Sequence, residues 1–215
     1  MFNHNFKKKY KRKHNLVRQS KLFLRVIFKM GKKIIRNFGN TAMPVTIVGA
    51  NVNGKPNFMT VGFYSWLEYK PKSIFSVSIE KRQYTNQGVK ENGTFSVNIP
   101  PENMMQVTDY IGMKSGRDID KTNIFDVFYG DLETAPMINE APVNHECKVI
   151  KTIDFDGIHD VFFGEVIKSY ADEGLCEGGL TIKKIKPILL NFTKYYSVGS
   201  EIGDAYKVGR NYESK

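Results

Sequence analysis

A group of cationic and hydroxyl side chains stands at the end of a predicted strand, in the stretch Ser-Ile-Glu-Lys-Arg-Gln-Tyr-Thr that begins at Ser78. Arg82 carries a planar guanidinium that suits a phosphate, and Lys81 adds a mobile positive charge. Thr85 stands at a possible helix N-cap, where the first-turn amides would add donors and a favourable dipole. Two interpretations stay open, an ordinary polar strand end and a site for an anionic group.

A second stretch runs from Asn57 to Trp66, the only tryptophan of the chain. On a strand, Asn57 and Met59 point to one face and Thr60 points to the other. Gly62 would let a ligand approach the backbone closely, and Trp66 would pack against a flat ring. An ordinary core strand with an aromatic plug is the alternative interpretation.

Two later stretches also combine polar groups with glycine or apolar neighbours. The loop from Ser115 to Lys121 contains Gly116 and several charges, and solvated surface is its simplest interpretation. His159 precedes an apolar run that predicts a strand, and a single histidine in such a place is usually structural or exposed.

Short β-branched and aromatic runs predict the elements that must position these groups. Asn53-Gly54 is a strong hairpin signal between the first two strands, and Pro100-Pro101 ends the fourth. The predicted strands are 45–52, 57–63, 73–79, 94–99, 145–155, 160–170 and 188–192, and the predicted helices are 86–91, 102–113 and a short one around 121–128.

Strands joined by hairpins and few helices predict a mainly β fold, a sandwich or a barrel. The alternating βα rhythm of a doubly wound fold is absent from the sequence. It contains neither a G-x-G-x-x-G after a strand nor a P-loop, so a Rossmann dinucleotide-binding unit and an ATPase are not supported.

The formal net charge of +10 is confined to one amino-terminal segment. Residues 1–29 hold ten Lys or Arg and no Asp or Glu, whereas residues 30–215 hold 22 basic and 22 acidic residues. We expect no nucleic-acid binding by residues 30–215. Residues 1–29 are interpreted as a basic leader, either a disordered arm that binds nucleic acid or anionic lipid, or a translated stretch before a functional chain that begins at Met30. A signal peptide is disfavoured because Arg25 interrupts the apolar run and no small-residue cleavage site follows.

Cys147 and Cys176 are too few for a disulfide framework and have no metal-binding spacing, so we expect reduced thiols, no metal and a cytoplasmic protein. No apolar run approaches the roughly 20 residues that a membrane-spanning helix needs.

Taken in order, these stretches resemble the flavin reductase-like family, including its flavoredoxins, over about residues 39–208. The matching pieces are Asn57-Phe58-Met59-Thr60 with Trp66, Arg82-Gln83-Tyr84-Thr85 with 92–100, Ser115-Gly116-Arg117 with Asp120-Lys121, His159 before 163–166, and 195–199. No single piece is specific, but five pieces in the same order are.

The resemblance implies a six-stranded antiparallel split barrel with a few peripheral helices, a homodimer, and FMN bound near the subunit interface. It implies that Thr60 and Trp66 lie near the isoalloxazine and that Ser78, Lys81, Arg82 and Thr85 serve the ribityl phosphate. Asn57 and Met59 are also expected to bind the cofactor. Lys121 and His159 would tune the flavin at the polar edge of its ring. One of Phe192, Tyr195 and Tyr196 would cover the ring, and Tyr195 is taken as the cofactor-binding residue among them. No residue is assigned as a certain catalyst.

The function implied is that of an FMN-dependent oxidoreductase or a pure electron carrier. It would pass hydride or electrons from NAD(P)H or a ferredoxin-like protein donor to an acceptor. The alternative is a non-enzymatic flavin- or haem-binding β-barrel whose basic arm tethers it to nucleic acid or membrane.

Overall fold

The computed structural model of the chain describes residues 41–177 and 179–212. The basic leader predicted over residues 1–29 lies outside the described residues. Among the described residues, no helix is both long enough and apolar enough to cross a membrane.

Most of the described chain is antiparallel β-structure, with short helices between the strands. The strands are β1 Met43–Pro44, β2 Thr46–Val52, β3 Lys55–Val61, β4 Tyr64–Glu68, β5 Ile74–Glu80, β6 Thr94–Asn98, β7 Val127–Phe128, β8 Met137–Ile138, β9 Val143–Asp154, β10 His159–Ala171, β11 Leu189–Asn191 and β12 Lys194–Tyr196. The α-helices are α1 Tyr84–Asn92, α2 Met105–Met113, α3 Glu173–Cys176 and α4 Ile182–Ile185, with 3₁₀ turns at Glu102–Met104 and Val208–Asn211.

Seven strands form the main sheet in the order β3-β2-β6-β9-β10-β5-β4, and every neighbouring pair is antiparallel. Its two outer strands, β3 and β4, follow each other in the chain with only Gly62 and Phe63 between them. The amide of Ser78 in β5 donates to the carbonyl of Phe63 at 2.9 Å. β3 and β4 are therefore the two halves of one bent strand, of which the first half pairs with β2 and the second half with β5. Counted as one strand, they close the seven-stranded sheet into a barrel of six strands. The predicted fold class, a mainly β antiparallel split barrel with six strands, is confirmed.

The barrel interior is filled by the inward-facing side chains of these strands, because alternate residues of a strand point to one face. Val48, Val77, Phe95 and Phe162 belong to this core and are almost fully buried. A second apolar cluster lies between β3 and α2, where Phe58 packs edge-on against Phe125 with ring centroids 5.4 Å apart.

Helix α1 packs closely on β2 because of one glycine. A Cβ at Gly88 would collide with the carbonyl oxygen of Asn51 and the side chain of Val52. Val89 on the same helix enters the barrel core. Asp160 of β10 adds a polar link, because it accepts hydrogen bonds from Asn86 at 3.0 Å and from Lys90 at 2.7 Å.

Most predicted elements are confirmed within a few residues, including the Asn53-Gly54 hairpin, in which both residues have positive φ. The short helix predicted around residues 121–128 is wrong. Residues 121–126 form turns, and Val127–Phe128 pairs with β8 instead. The segment folds into turns because Asp120 accepts a hydrogen bond from the amide of Thr122 while Lys121 is drawn into the interior.

Candidate functional site

The bend between β3 and β4 presents an exposed aromatic ring beside two polar groups. Phe63, which lies between β3 and β4, is 54% exposed. Its ring meets the imidazole of His159 edge-on, with centroids 5.8 Å apart. Ser78 lies beside them, since its amide donates to the Phe63 carbonyl and it pairs with Val161 of β10. Phe63, Ser78 and His159 thus form one patch on the outside of the barrel.

Arg82 adds the positive charge to this patch. Its Nε forms an ion pair with Oε1 of Glu80 at 2.6 Å, and Glu80 is the register partner of His159. A guanidinium has five N–H donors, and the four on the Nη atoms of Arg82 have no hydrogen-bond partner among the described residues. The side chain is 80% exposed and therefore accessible to solutes.

Arg117 reaches the same place from the loop after α2. Its Nη1 donates to the carbonyl of Arg82 at 2.8 Å, and its guanidinium lies over the ring of Tyr84, 5.0 Å from the centroid. Gly116 makes the approach possible, because a Cβ there would collide with Tyr84 and Asn57. The sequence does not predict Arg117 as a cofactor-binding residue, although its loop is one of the stretches that match the family. Tyr84, in the upstream sequence Arg82-Gln83-Tyr84, is the signal that could identify Arg117, because its aromatic ring can stack with a guanidinium.

Lys81 has a different acidic partner from Arg82. Its Nζ forms an ion pair with Asp154 at 2.6 Å, at the end of the β9–β10 hairpin. This hydrogen bond raises the pKa of Lys81 above its usual value. Lys81 therefore stays protonated at neutral pH, and the carboxylate of Asp154 balances its charge.

Thr85 lies inside the fold and does not cap α1. The N-cap residue is Gln83, which makes no side-chain capping bond, so the predicted N-cap at Thr85 is wrong. The hydroxyl of Thr85 is 1% exposed and accepts a hydrogen bond from Nδ2 of Asn57 at 2.7 Å. The side chain turns inward because buried Asn57 on β3 requires a polar partner there.

Lys121 is held by two backbone carbonyls. Its Nζ donates to the oxygens of Phe58 and Ile111 at 2.8 Å each, and the residue is 3% exposed. Burial lowers the pKa of Lys121 to about 8. The residue also borders a cavity of about 360 Å³ between the β2–β3 hairpin, Tyr84 and the Arg117 loop.

The remaining predicted residues are spread over the barrel. Met59 packs against the core, and the hydroxyl of Thr60 donates to the carbonyl of Thr108 in α2. Trp66 is 62% exposed, and its Nε1 donates to Ser73 Oγ at 3.0 Å and to the carbonyl of Glu68.

Tyr195 donates its hydroxyl to Asp109 at 2.8 Å. Its burial and this bond raise the pKa of Tyr195 to about 12. Phe192 and Tyr196 are about half exposed. Either of these two rings is freer to cover a ligand than Tyr195.

Comparison with known proteins shows which family the chain belongs to. Residues 38–199 match the model of the flavin reductase like domain. The chain belongs to the flavin reductase-like family. The resemblance stated from the sequence is thereby confirmed.

Two flavoredoxin structures are similar to this family member over almost their whole length. That from Methanosarcina acetivorans is 43% identical with a TM-score of 0.79, covering 83% of this chain and 97% of that one. That from Desulfovibrio vulgaris (Miyazaki F) is 28% identical with a TM-score of 0.75, covering 83% and 100%. The uncharacterized protein YddH of Escherichia coli (strain K12) is 28% identical over 119 residues, 54% of this chain and 62% of the relative. The chain thus spans less than two thirds of that relative.

The structure sorts the predicted site residues of this flavin reductase-like chain into separate groups. Ser78 and His159 lie beside Phe63, and Arg82 is linked to His159 through Glu80. Asn57, Thr85 and Lys121 lie inward of Arg117, near the cavity. Met59, Thr60, Trp66, Lys81 and Tyr195 contact other parts of the fold, and the ligand roles assigned to all of these residues stay predictions.

Proposed function

We propose that the chain is an FMN-binding flavoprotein that passes hydride or electrons through the bound flavin. The observation that carries the proposal is the patch of Phe63, Ser78, Arg82 and His159, found in a chain 43% identical to a flavoredoxin. FMN combines a flat aromatic ring with a phosphate that carries close to two negative charges.

The residues present fit such a molecule. Phe63 offers an exposed aromatic surface for a ring, and Arg82 offers four Nη–H donors, which have no partner among the described residues, for a phosphate. Arg117 brings a second guanidinium to the backbone of Arg82, which raises the local positive potential. Glu80 offsets part of that charge, so the two arginines are both needed to favour a dianion.

Bound FMN would supply the redox chemistry, and the protein would bind and orient it. Arg82 would hold the phosphate, and Glu80 would keep the guanidinium plane directed at it. His159 would present a ring nitrogen to a polar edge, while its contact with Phe63 limits its rotation. Phe63 would exclude water from the ring that it covers.

The test compares FMN with riboflavin, which lacks the phosphate. We expect Arg82→Ala to weaken FMN binding roughly 10- to 100-fold, since a hydrogen bond to a charged group contributes about 1.5–3 kcal/mol. Riboflavin binding is expected to change little. Lys72→Ala removes an exposed lysine that pairs with Glu165 and serves as the matched control. An equal loss of both ligands in the Arg82 variant would remove the phosphate role.

The electron donor and acceptor form the second part of the proposal. NAD(P)H would have to stack directly on an exposed flavin face, whereas a ferredoxin-like donor would dock beside it. Oxidation of NADH and NADPH with added FMN, followed by assays with ferric chelates and ferredoxin, separates the two. We also propose a homodimer and a cytoplasmic location, the latter supported by two free thiols.

A further inference from the structure

The carboxyl-terminal segment, residues 198–212, exposes apolar side chains that its own described chain does not cover. Ile202 is fully exposed, and Tyr206, Val208 and Tyr212 are 94%, 70% and 82% exposed. Single exposed apolar residues are ordinary, but four within eleven residues form a patch that marks an interaction site.

The segment nevertheless has a defined backbone. The amides of Lys207 and Val208 donate to the carbonyl of Asp204, and the chain then forms the 3₁₀ turn Val208–Asn211. Glu201 forms an ion pair with Lys183 at 3.0 Å. The segment thus has local structure and an anchor, while its apolar side chains have no partner within the described residues.

A matching uncovered surface lies on β4. Trp66, Leu67 and Tyr69 are 62%, 49% and 69% exposed, and with Glu68 they line a groove of about 390 Å³. Within the part of the chain that the structure describes, β4 is an outer strand of the main sheet and pairs only with β5. An exposed strand edge with aromatic side chains readily accepts another chain.

We propose that the carboxyl-terminal segment of a second copy packs into the β4 groove. A symmetric pair supplies one segment and one groove to each copy, so the exchange closes on itself without leaving either surface free. Covering the exposed parts of Trp66, Tyr69, Tyr206 and Tyr212, at roughly 115–190 Å² each, gives about 900–1,500 Å² for the two exchanges, which reaches the size of a stable interface.

The second copy is favoured over the chain's own segment because both surfaces are exposed in the single chain. Packing within one chain would cover Trp66 and Tyr206, and neither is covered. The inference rests on the proposed homodimer and does not depend on the flavin.

Trp66 allows a direct test, because it is the only tryptophan in the sequence. Three chains are compared at the same flavin content: the full chain, a chain that ends at Val198, and a full-length Trp66→Phe chain. In the full chain, we expect blue-shifted tryptophan emission and acrylamide quenching at least about twofold weaker than in the shortened chain, since docking buries the indole. A full-length chain with Ile202→Ser and Tyr206→Ser should match the shortened one.

Mixing two of these chains tests whether the segment that covers Trp66 comes from the same copy or from the second copy. The shortened chain keeps Trp66 but lacks the segment, and the Trp66→Phe chain has the segment but no tryptophan. After the two are mixed and re-equilibrated, we expect the protection of Trp66 to return. Protection in the full chain that mixing does not restore would place the segment on its own chain and overturn the proposal.

Equal quenching in the full and shortened chains would also overturn it. If light scattering then still shows a dimer, the proposed homodimer stands and only the exchanged segment fails.

Discussion

At the scale of residues, the same side-chain type has different roles according to what surrounds it. Arg82 and Lys121 are both cations that the sequence predicts near a flavin. Arg82 is exposed with free donors, whereas Lys121 is buried and donates to the carbonyls of Phe58 and Ile111. Arg82 is therefore accessible to a ligand, whereas Lys121 joins β3 to α2; the flavin roles of both stay predictions.

Replacing Lys121 with methionine should destabilise the fold by about 2–5 kcal/mol at pH 7. The side chain is similar in length, but two buried carbonyls lose their donor, at roughly 1–3 kcal/mol each. Urea unfolding measures the change. Lys55→Met is the matched control, because Lys55 is exposed and only approaches Asp120 at 3.8 Å.

The pH dependence of the same variant gives a second check. The pKa of Lys121 is about 8 when folded and 10.5 in the unfolded chain, so the unfolded state binds more protons between these values. The native protein should therefore gain stability relative to Lys121→Met as pH rises from 8 towards 10, by at most about 1.4 kcal/mol per pH unit. A stability difference that stays constant over this range would show that the amine is not desolvated.

At the scale of elements, the position of helix α1 determines where the Arg82 backbone stands. Asp160 of β10 is 4% exposed and fixes the helix through Asn86 and Lys90. Burial alone would raise the pKa of Asp160, but the hydrogen bonds from Lys90 and Asn86 outweigh it and the pKa is lowered. The sequence indicates a polar residue next to His159 but not that it reaches across to α1.

Asp160→Asn should lower the free energy of unfolding by about 1–3 kcal/mol at pH 7, because Lys90 loses a charged acceptor. An aspartate whose pKa is lower in the folded than in the unfolded state stabilises the fold at pH values above the unfolded pKa, near 3.8. That stabilisation is lost as the pH falls through the folded pKa. The two proteins should thus converge in stability towards pH 3. A difference that persists there would assign the effect to packing instead of charge.

The strands and helices also show which parts of the fold can be predicted from the sequence alone. Alternation of apolar residues predicts β2, β5, β6, β9 and β10 correctly, because one face of each strand fills the barrel. Predictions from neighbouring residues fail where a residue that is distant in the chain determines the local structure. Thr85 has the chemistry of an N-cap, but Asn57 on β3 takes its hydroxyl, and Lys121 is drawn between β3 and α2, so the helix predicted around it does not form.

At the scale of the whole molecule, the bent strand from Lys55 to Glu68 connects the barrel to the site. It closes the sheet with both halves and places Phe63 at the bend, against Ser78 and His159. The sequence predicts a strand over 57–63 but neither its continuation as β4 after the bend nor the pairing of its two halves with opposite edges of one sheet. Family membership and the geometry of this bend together support flavin binding.

The most direct test of this account is a titration of the purified, flavin-free chain with FMN, followed in the visible absorbance of the flavin. We predict a saturable spectral change that ends at one FMN per chain and survives gel filtration. A spectrum that remains that of free FMN at every ratio, with colourless protein after filtration, would contradict the account.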